Sequence, residues 1–124
     1  MTPVATLSDA PTFETEGFTF RSLAVPSRGS RELAIWQVTG AAGARSVRHC
    51  MSREEVFVVL DGLLTATIDD LPVSAIAGDA LVVPAGAMLE LSNDGAVPLR
   101  LMACTSVGMQ ATVGDATFAP PWAL

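Results

Sequence analysis

The stretch Gly43-Ala44-Arg45-Ser46-Val47-Arg48-His49-Cys50-Met51-Ser52-Arg53-Glu54-Glu55-Val56-Phe57-Val58-Val59-Leu60-Asp61-Gly62 decides how this chain is read. Its second half carries the longest unbroken apolar run, Val56 to Leu60, closed by Asp61-Gly62. Such a run, short and bounded by a turn signal, reads as a strand buried on more than one side. Asp-Gly is a strong hairpin signal, so a type I′ turn is expected there. The first half, residues 45–51, reads as another strand. Side chains two apart on a strand share a face, so His49 and Met51 point one way and Cys50 the other.

Working outward, short runs alternate with turn residues along most of the chain. Residues 18–23 and 31–39 precede the central stretch, with Gly40-Ala41-Ala42-Gly43 as a break. Residues 63–68, 73–76, 80–83, 89–92 and 99–105 follow it, separated by Asp69-Asp70, Gly78-Asp79, Pro84-Ala85-Gly86 and Asn93-Asp94-Gly95. Residues 109–113 add a further candidate. The tail Phe118-Ala119-Pro120-Pro121-Trp122 cannot be a central strand, and its aromatics are expected to pack against the body or a partner chain. No window shows a clear helical period free of breakers. Many closely spaced short strands argue for an all-β antiparallel sandwich or barrel.

The chain has 124 residues, enough for one domain and too few for two. Residues 1–11 are expected to be a flexible N-terminal segment and 12–124 a single domain. Half of the residues are hydrophobic and 16% are charged. Mean hydropathy is +0.45, which suggests wide buried surface, an oligomer contact included. Thirteen acids oppose seven cations, all arginine, for a formal charge of −6. Nucleic-acid binding needs a basic surface, so no nucleic-acid partner is expected. Lysine Schiff-base chemistry and phenolic acid catalysis are excluded, since the chain has neither lysine nor tyrosine. No membrane span is expected, and the N-terminus lacks a basic region followed by an apolar core. Two cysteines, Cys50 and Cys104, make no disulfide framework. A cytoplasmic protein with reduced thiols is the expectation.

Within this frame the sequence resembles the cupin family. The family's first motif is a glycine, His-x-His, a glutamate and a glycine; Gly43, His49, Glu55 and Gly62 fall in register, and Met51 stands where the second histidine belongs. The second motif is a glycine, Pro-x-Gly, a histidine and an asparagine; Gly78, Pro84, Gly86 and Asn93 match, and Leu89 replaces the histidine. The resemblance covers residues 31–106 and implies a jelly-roll β-barrel. It also implies a homodimer, the usual state in the family.

The resemblance places the family's metal ligands at His49, Met51, Glu55 and Leu89. A thioether binds hard divalent ions poorly and leucine does not bind them, so the metal site is degenerate. If a divalent metal is held at all, His49 and Glu55 are its ligands. A softer copper(I) set of His49, Met51 and an inward-facing Cys104 is a further alternative.

Without a metal, the barrel mouth becomes an apolar pocket for a small organic molecule, lined by His49, Met51, Glu55, Phe57, Val59 and Leu89. Arg45 shares parity with His49 and is expected to face the same cavity, where a His49–Glu55 hydrogen bond is the least costly arrangement. Whether the protein is an enzyme stays open. A histidine and a carboxyl can act as acid and base. The leading reading is small-molecule binding. The alternatives are a metal-dependent dioxygenase or isomerase with an incomplete ligand set, and a structural or interaction module. Cys50 beside His49 faces the wrong way for a nucleophile–base pair. Arg45, Arg48 and Arg53 read as a solvated face, with attraction of an anionic ligand as the alternative.

Overall fold

The computed structural model describes residues 3–124, so Met1 and Thr2 of the expected flexible segment lie outside the described residues. Twelve strands follow in order: β1 (Thr12–Thr15), β2 (Phe18–Ala24), β3 (Leu33–Gly40), β4 (His49–Met51), β5 (Glu55–Asp61), β6 (Leu63–Ile68), β7 (Leu71–Ile76), β8 (Ala80–Val83), β9 (Met88–Ser92), β10 (Leu99–Ser106), β11 (Ala111–Val113) and β12 (Ala116–Phe118). Among the described residues the helical pieces are three-residue 3-10 turns, Pro121–Ala123 among them. No helix is long and apolar enough to cross a membrane.

The strands form two six-stranded antiparallel sheets, ordered β1-β2-β3-β10-β5-β8 and β12-β11-β4-β9-β6-β7. This is the expected all-β jelly roll, two sheets packed face to face. Alternation along each strand builds the core. On the first sheet Trp36, Val38, Phe57, Val59, Leu101 and Ala103 point inward. On the second, Met51, Leu64, Ala66, Leu89 and Leu91 meet them.

Two turns differ from the sequence expectation, Asp61-Gly62 and Glu16-Gly17, while Asp69-Asp70 turns as expected. Asp61-Gly62 does not close a hairpin, because β5 and β6 belong to different sheets. It is a corner that carries the chain from one sheet to the other. Gly62 has φ of 86°, and a Cβ there would lie 2.8 Å from the Pro98 carbonyl oxygen. Only glycine fits that close approach. The two-residue hairpins with positive φ at both loop positions are Glu16-Gly17, between β1 and β2, and Asp69-Asp70, between β6 and β7. The first of these brings in β1, a strand the sequence pattern did not indicate.

Two residues of the second motif have structural work. Gly86 (φ 80°) forms the Pro84–Ala87 turn, and its N–H donates to the Met51 carbonyl at 2.8 Å, tying the corner to the cavity wall. Buried Asn93 donates from Nδ2 to the carbonyls of Gly40 (3.1 Å) and Val97 (2.8 Å), and its Oδ1 accepts the Gly95 N–H (3.0 Å). Both latch loops at the barrel end rather than meet a ligand.

Candidate functional site

One cavity of about 280 Å³ opens at one end of the sandwich. The first sheet supplies Phe18, Phe20, Trp36, Glu55 and Phe57. The facing wall is built from Ser46, Val47, His49, Met51, Leu91, Ala111 and Val113. The β1–β2 turn (Thr15, Glu16) and the C-terminal residues Phe118, Pro120 and Trp122 form the rim. The chain has five phenylalanines and two tryptophans. All but Phe13 line this space, and Phe13 lies against Trp122, with ring centroids 6.5 Å apart. Aromatics gathered at one opening make a site that favours flat apolar ligands.

The C-terminal segment is held in place. Trp122 stacks on Phe20, centroids 3.8 Å apart with the planes within 8°. The Ser22 hydroxyl donates to the Trp122 carbonyl (2.7 Å) and the Ser27 hydroxyl to the Leu124 carbonyl (2.6 Å). The tail aromatics therefore pack against the body. The Pro120-Pro121 pair and Trp122 were a signal in the sequence; their destination was not.

Of the expected pocket residues, the fold brings His49, Met51, Glu55 and Phe57 to this one cavity. Leu89 points into the same interior but is fully buried in the core, where it pairs with His49 across the strands and does not reach the open space. Val59 is likewise core rather than lining. Arg45 does not face the cavity. The run 45–51 is no continuous strand: Arg45 makes an isolated bridge to Ser92, and β4 starts only at His49. The non-strand residues 46–48 between them break the parity, so Ser46 turns inward while Arg45 pairs with Glu90 at 2.6 Å on the surface. Arg48 pairs with Asp70 (2.6 Å), and Arg53 donates to the Val107 carbonyl (2.7 Å). With separate partners, the three arginines form no anion site.

The expected His49–Glu55 hydrogen bond is absent too. His49 Nδ1 lies 2.7 Å from the Val47 carbonyl oxygen. A carbonyl only accepts, so Nδ1 carries a proton and donates it to Val47. Glu55 is 1% exposed, and its Oε1 has no protein partner. Burial pushes its carboxyl from an ordinary value of 4.5 up to about 8. The neutral acid, a hydrogen-bond donor, is thus the dominant form at pH 7. The indole Nε1 of Trp36 is likewise buried without a partner. Among the described residues four buried side-chain polar atoms lack partners, and these two belong to cavity-lining residues.

The donor set does not fit a divalent metal. Position by position it offers one imidazole, one thioether, one carboxyl and the hydrocarbon of Leu89. Among the described residues no group of three or more His, Cys, Asp or Glu side chains is arranged to hold an ion. The copper(I) alternative fails on direction. Cys104 lies on the outward parity of β10 with Arg100 and Met102, where burial pushes its thiol up. Cys50, as expected, does not line the cavity.

Comparison with known proteins agrees with this architecture. The sequence profile described as "Cupin domain" matches residues 36–105. No curated protein is a significant match. Among solved structures, the polyketide cyclase RemF from Streptomyces resistomycificus superposes with a TM-score of 0.78 at 14% identity, over 95% of this chain and 84% of that one. An RmlC-like cupin from Shewanella frigidimarina gives 0.72 at 17% identity, over 86% and 91%. A sugar phosphate isomerase of the cupin superfamily from Silicibacter pomeroyi gives 0.70 at 20% identity, over 92% and 83%. At these identities the likeness is one of fold.

Proposed function

Because this chain belongs to the cupin family, whose fold hosts many chemistries, we propose its function from the cavity itself: it binds a small, neutral, largely aromatic molecule carrying an oxygen substituent. The carrying observation is the apolar, aromatic lining of the cavity, two of whose residues, Trp36 and Glu55, each bury a polar atom (Nε1 and Oε1) that has no protein partner. An unsatisfied buried polar group costs about 1–3 kcal/mol. A ligand carbonyl or hydroxyl that reaches the indole N–H or the neutral carboxyl recovers part of that cost, and ring stacking supplies the rest of the affinity.

Charge argues for a neutral ligand. No arginine lines the cavity, and its ionisable lining residues are Glu16, His49 and Glu55. A sugar phosphate would find no cation there. One structural relative is named a polyketide cyclase. A carbonyl-bearing, partly aromatic molecule is also what the two free polar atoms would receive.

Tryptophan fluorescence and thermal-shift titrations with 2-tetralone, 2-naphthol, benzoate and glucose 6-phosphate test this reading. The two neutral aromatics are expected to bind and raise Tm; the two anions are expected to do neither. Trp36→Phe, which keeps the ring and removes the N–H, is expected to weaken binding about tenfold. Silence from both neutral probes, or preference for the sugar phosphate, would overturn the reading.

A further inference from the structure

We propose that residues 116–124 form a movable strap over the mouth of the cavity, and that the ligand enters and leaves when residues 119–124 lift off the first sheet. The inference rests on the binding reading above and adds the control of exchange at the same site.

The strap runs from one sheet to the other across the open end. It starts as β12, which pairs with β11 at the edge of the second sheet. It ends in the Pro121–Ala123 turn, which lies against β1, β2 and β3 of the first sheet. Between these points it gives Phe118, Pro120 and Trp122 to the lining of the cavity. The width of the opening therefore depends on where this segment sits.

The fastening of the strap sets it apart from the strands beneath it. Among the described residues no backbone–backbone hydrogen bond joins residues 119–124 to the rest of the chain. The Ala123 N–H donates inside the segment, to the Pro120 carbonyl at 3.0 Å. Pro120 and Pro121 have no N–H to offer. All three residues of β12 are exposed. What holds the segment is one ring stack, Trp122 flat on Phe20, and two hydroxyls of the body, Ser22 on the Trp122 carbonyl and Ser27 on the Leu124 carbonyl. Pro120 and Ala123 are buried in the docked position, so that position is a defined one. Every fastening can break without disturbing a sheet ladder, and both carbonyls meet water when the strap lifts. Segments held in this way open at far less cost than the whole domain. Lids with that property control access to the sites they cover.

A gate has its own kinetic signature. While the docked state dominates, easier lifting speeds entry and exit alike and leaves Kd unchanged. A wall that only touches the ligand changes exit and Kd together. Ser22 and Ser27 separate the two cases, because they fasten the strap and do not line the cavity.

The test is stopped-flow tryptophan fluorescence with 2-tetralone on the full chain, for the parent, Ser22→Ala and Ser27→Ala. In parallel, native-state chymotrypsin cleavage after Phe118 or Trp122, read by mass spectrometry, reports lifting of the strap without any ligand. Ser22→Ala is expected to raise the entry and exit rates each by about fivefold, with Kd within about twofold of the parent. Ser27→Ala should raise both rates by about twofold or more. Cleavage should be faster in both variants and slower under saturating 2-tetralone. Circular dichroism checks folding, and the exposed position of Ser27 keeps the test decisive should Ser22→Ala fail to fold. Faster cleavage without faster exchange overturns the gate and leaves the binding reading standing. So does a rise in the exit rate alone, or exchange at the parental rate in both variants. A probe that does not bind overturns both readings.

Discussion

At the scale of single residues, burial of Glu55 couples the stability of the barrel to pH. Its carboxyl titrates near 8 in the folded chain, against an ordinary value of 4.5. Below the lower value both states are protonated and burial carries no ionic cost. Between the two, the unfolded chain ionises while the folded one holds its proton, so stability falls as pH rises. The slope is at most about 1.4 kcal/mol per pH unit. Urea unfolding of the parent from pH 5 to pH 8 is expected to show this decline, and Glu55→Gln to remove it; parallel curves for the two proteins would contradict a neutral Glu55. The positions of Glu55, His49 and Met51 were legible in the sequence, because strand parity and motif spacing place them. Their hydrogen bonds were not. The Val47 carbonyl captures His49, and no spacing rule reports a backbone acceptor two residues away.

At the scale of elements, the corner between β5 and β6 is the sharpest constraint. Gly62 combines a left-handed backbone with a virtual Cβ only 2.8 Å from a backbone oxygen that cannot swing away. Gly62→Ala is expected to cost about 2–4 kcal/mol, read as a lowered urea midpoint with unchanged slope. A loss below about 0.5 kcal/mol would mean that the corner relaxes freely. Asp-Gly correctly signals a positive φ here, yet the same dipeptide serves a hairpin or a sheet-to-sheet corner. Which one forms depends on the partners that β5 finds in β10 and β8, distant in sequence. Arg45 was misplaced for a related reason. Parity holds only along an unbroken strand, and the strand pairing is interrupted between the Arg45 bridge and His49.

At the scale of the whole molecule, the outer face of the first sheet is the surface to test for assembly. Ile35, Cys104, Val56 and Val82 align in register across four strands. Leu33, Val58 and Val82 are 52%, 37% and 54% exposed. The expected homodimer would cover this row and explain why the run Val56–Leu60 is apolar on both sides. Analytical ultracentrifugation at micromolar concentration is expected to give twice the 12.9 kDa chain mass, and Val82→Arg to restore the single chain; a monomeric parent would refute the pairing. Local chemistry in the chain was enough to read the alternating strands, the glycine and proline corners, the net acidity and the inward parity of His49, Met51 and Phe57. Apart from the net acidity, which is a count over the whole chain, each of these depends on neighbours a few residues apart. The composition of the cavity needed the folded chain. Phe18, Phe20, Trp36, Phe118 and Trp122 lie far apart in sequence and meet only when the sheets close and the tail docks on Phe20. Burial, which leaves the Trp36 and Glu55 polar atoms without partners, is likewise a property of the closed sandwich and of no local stretch.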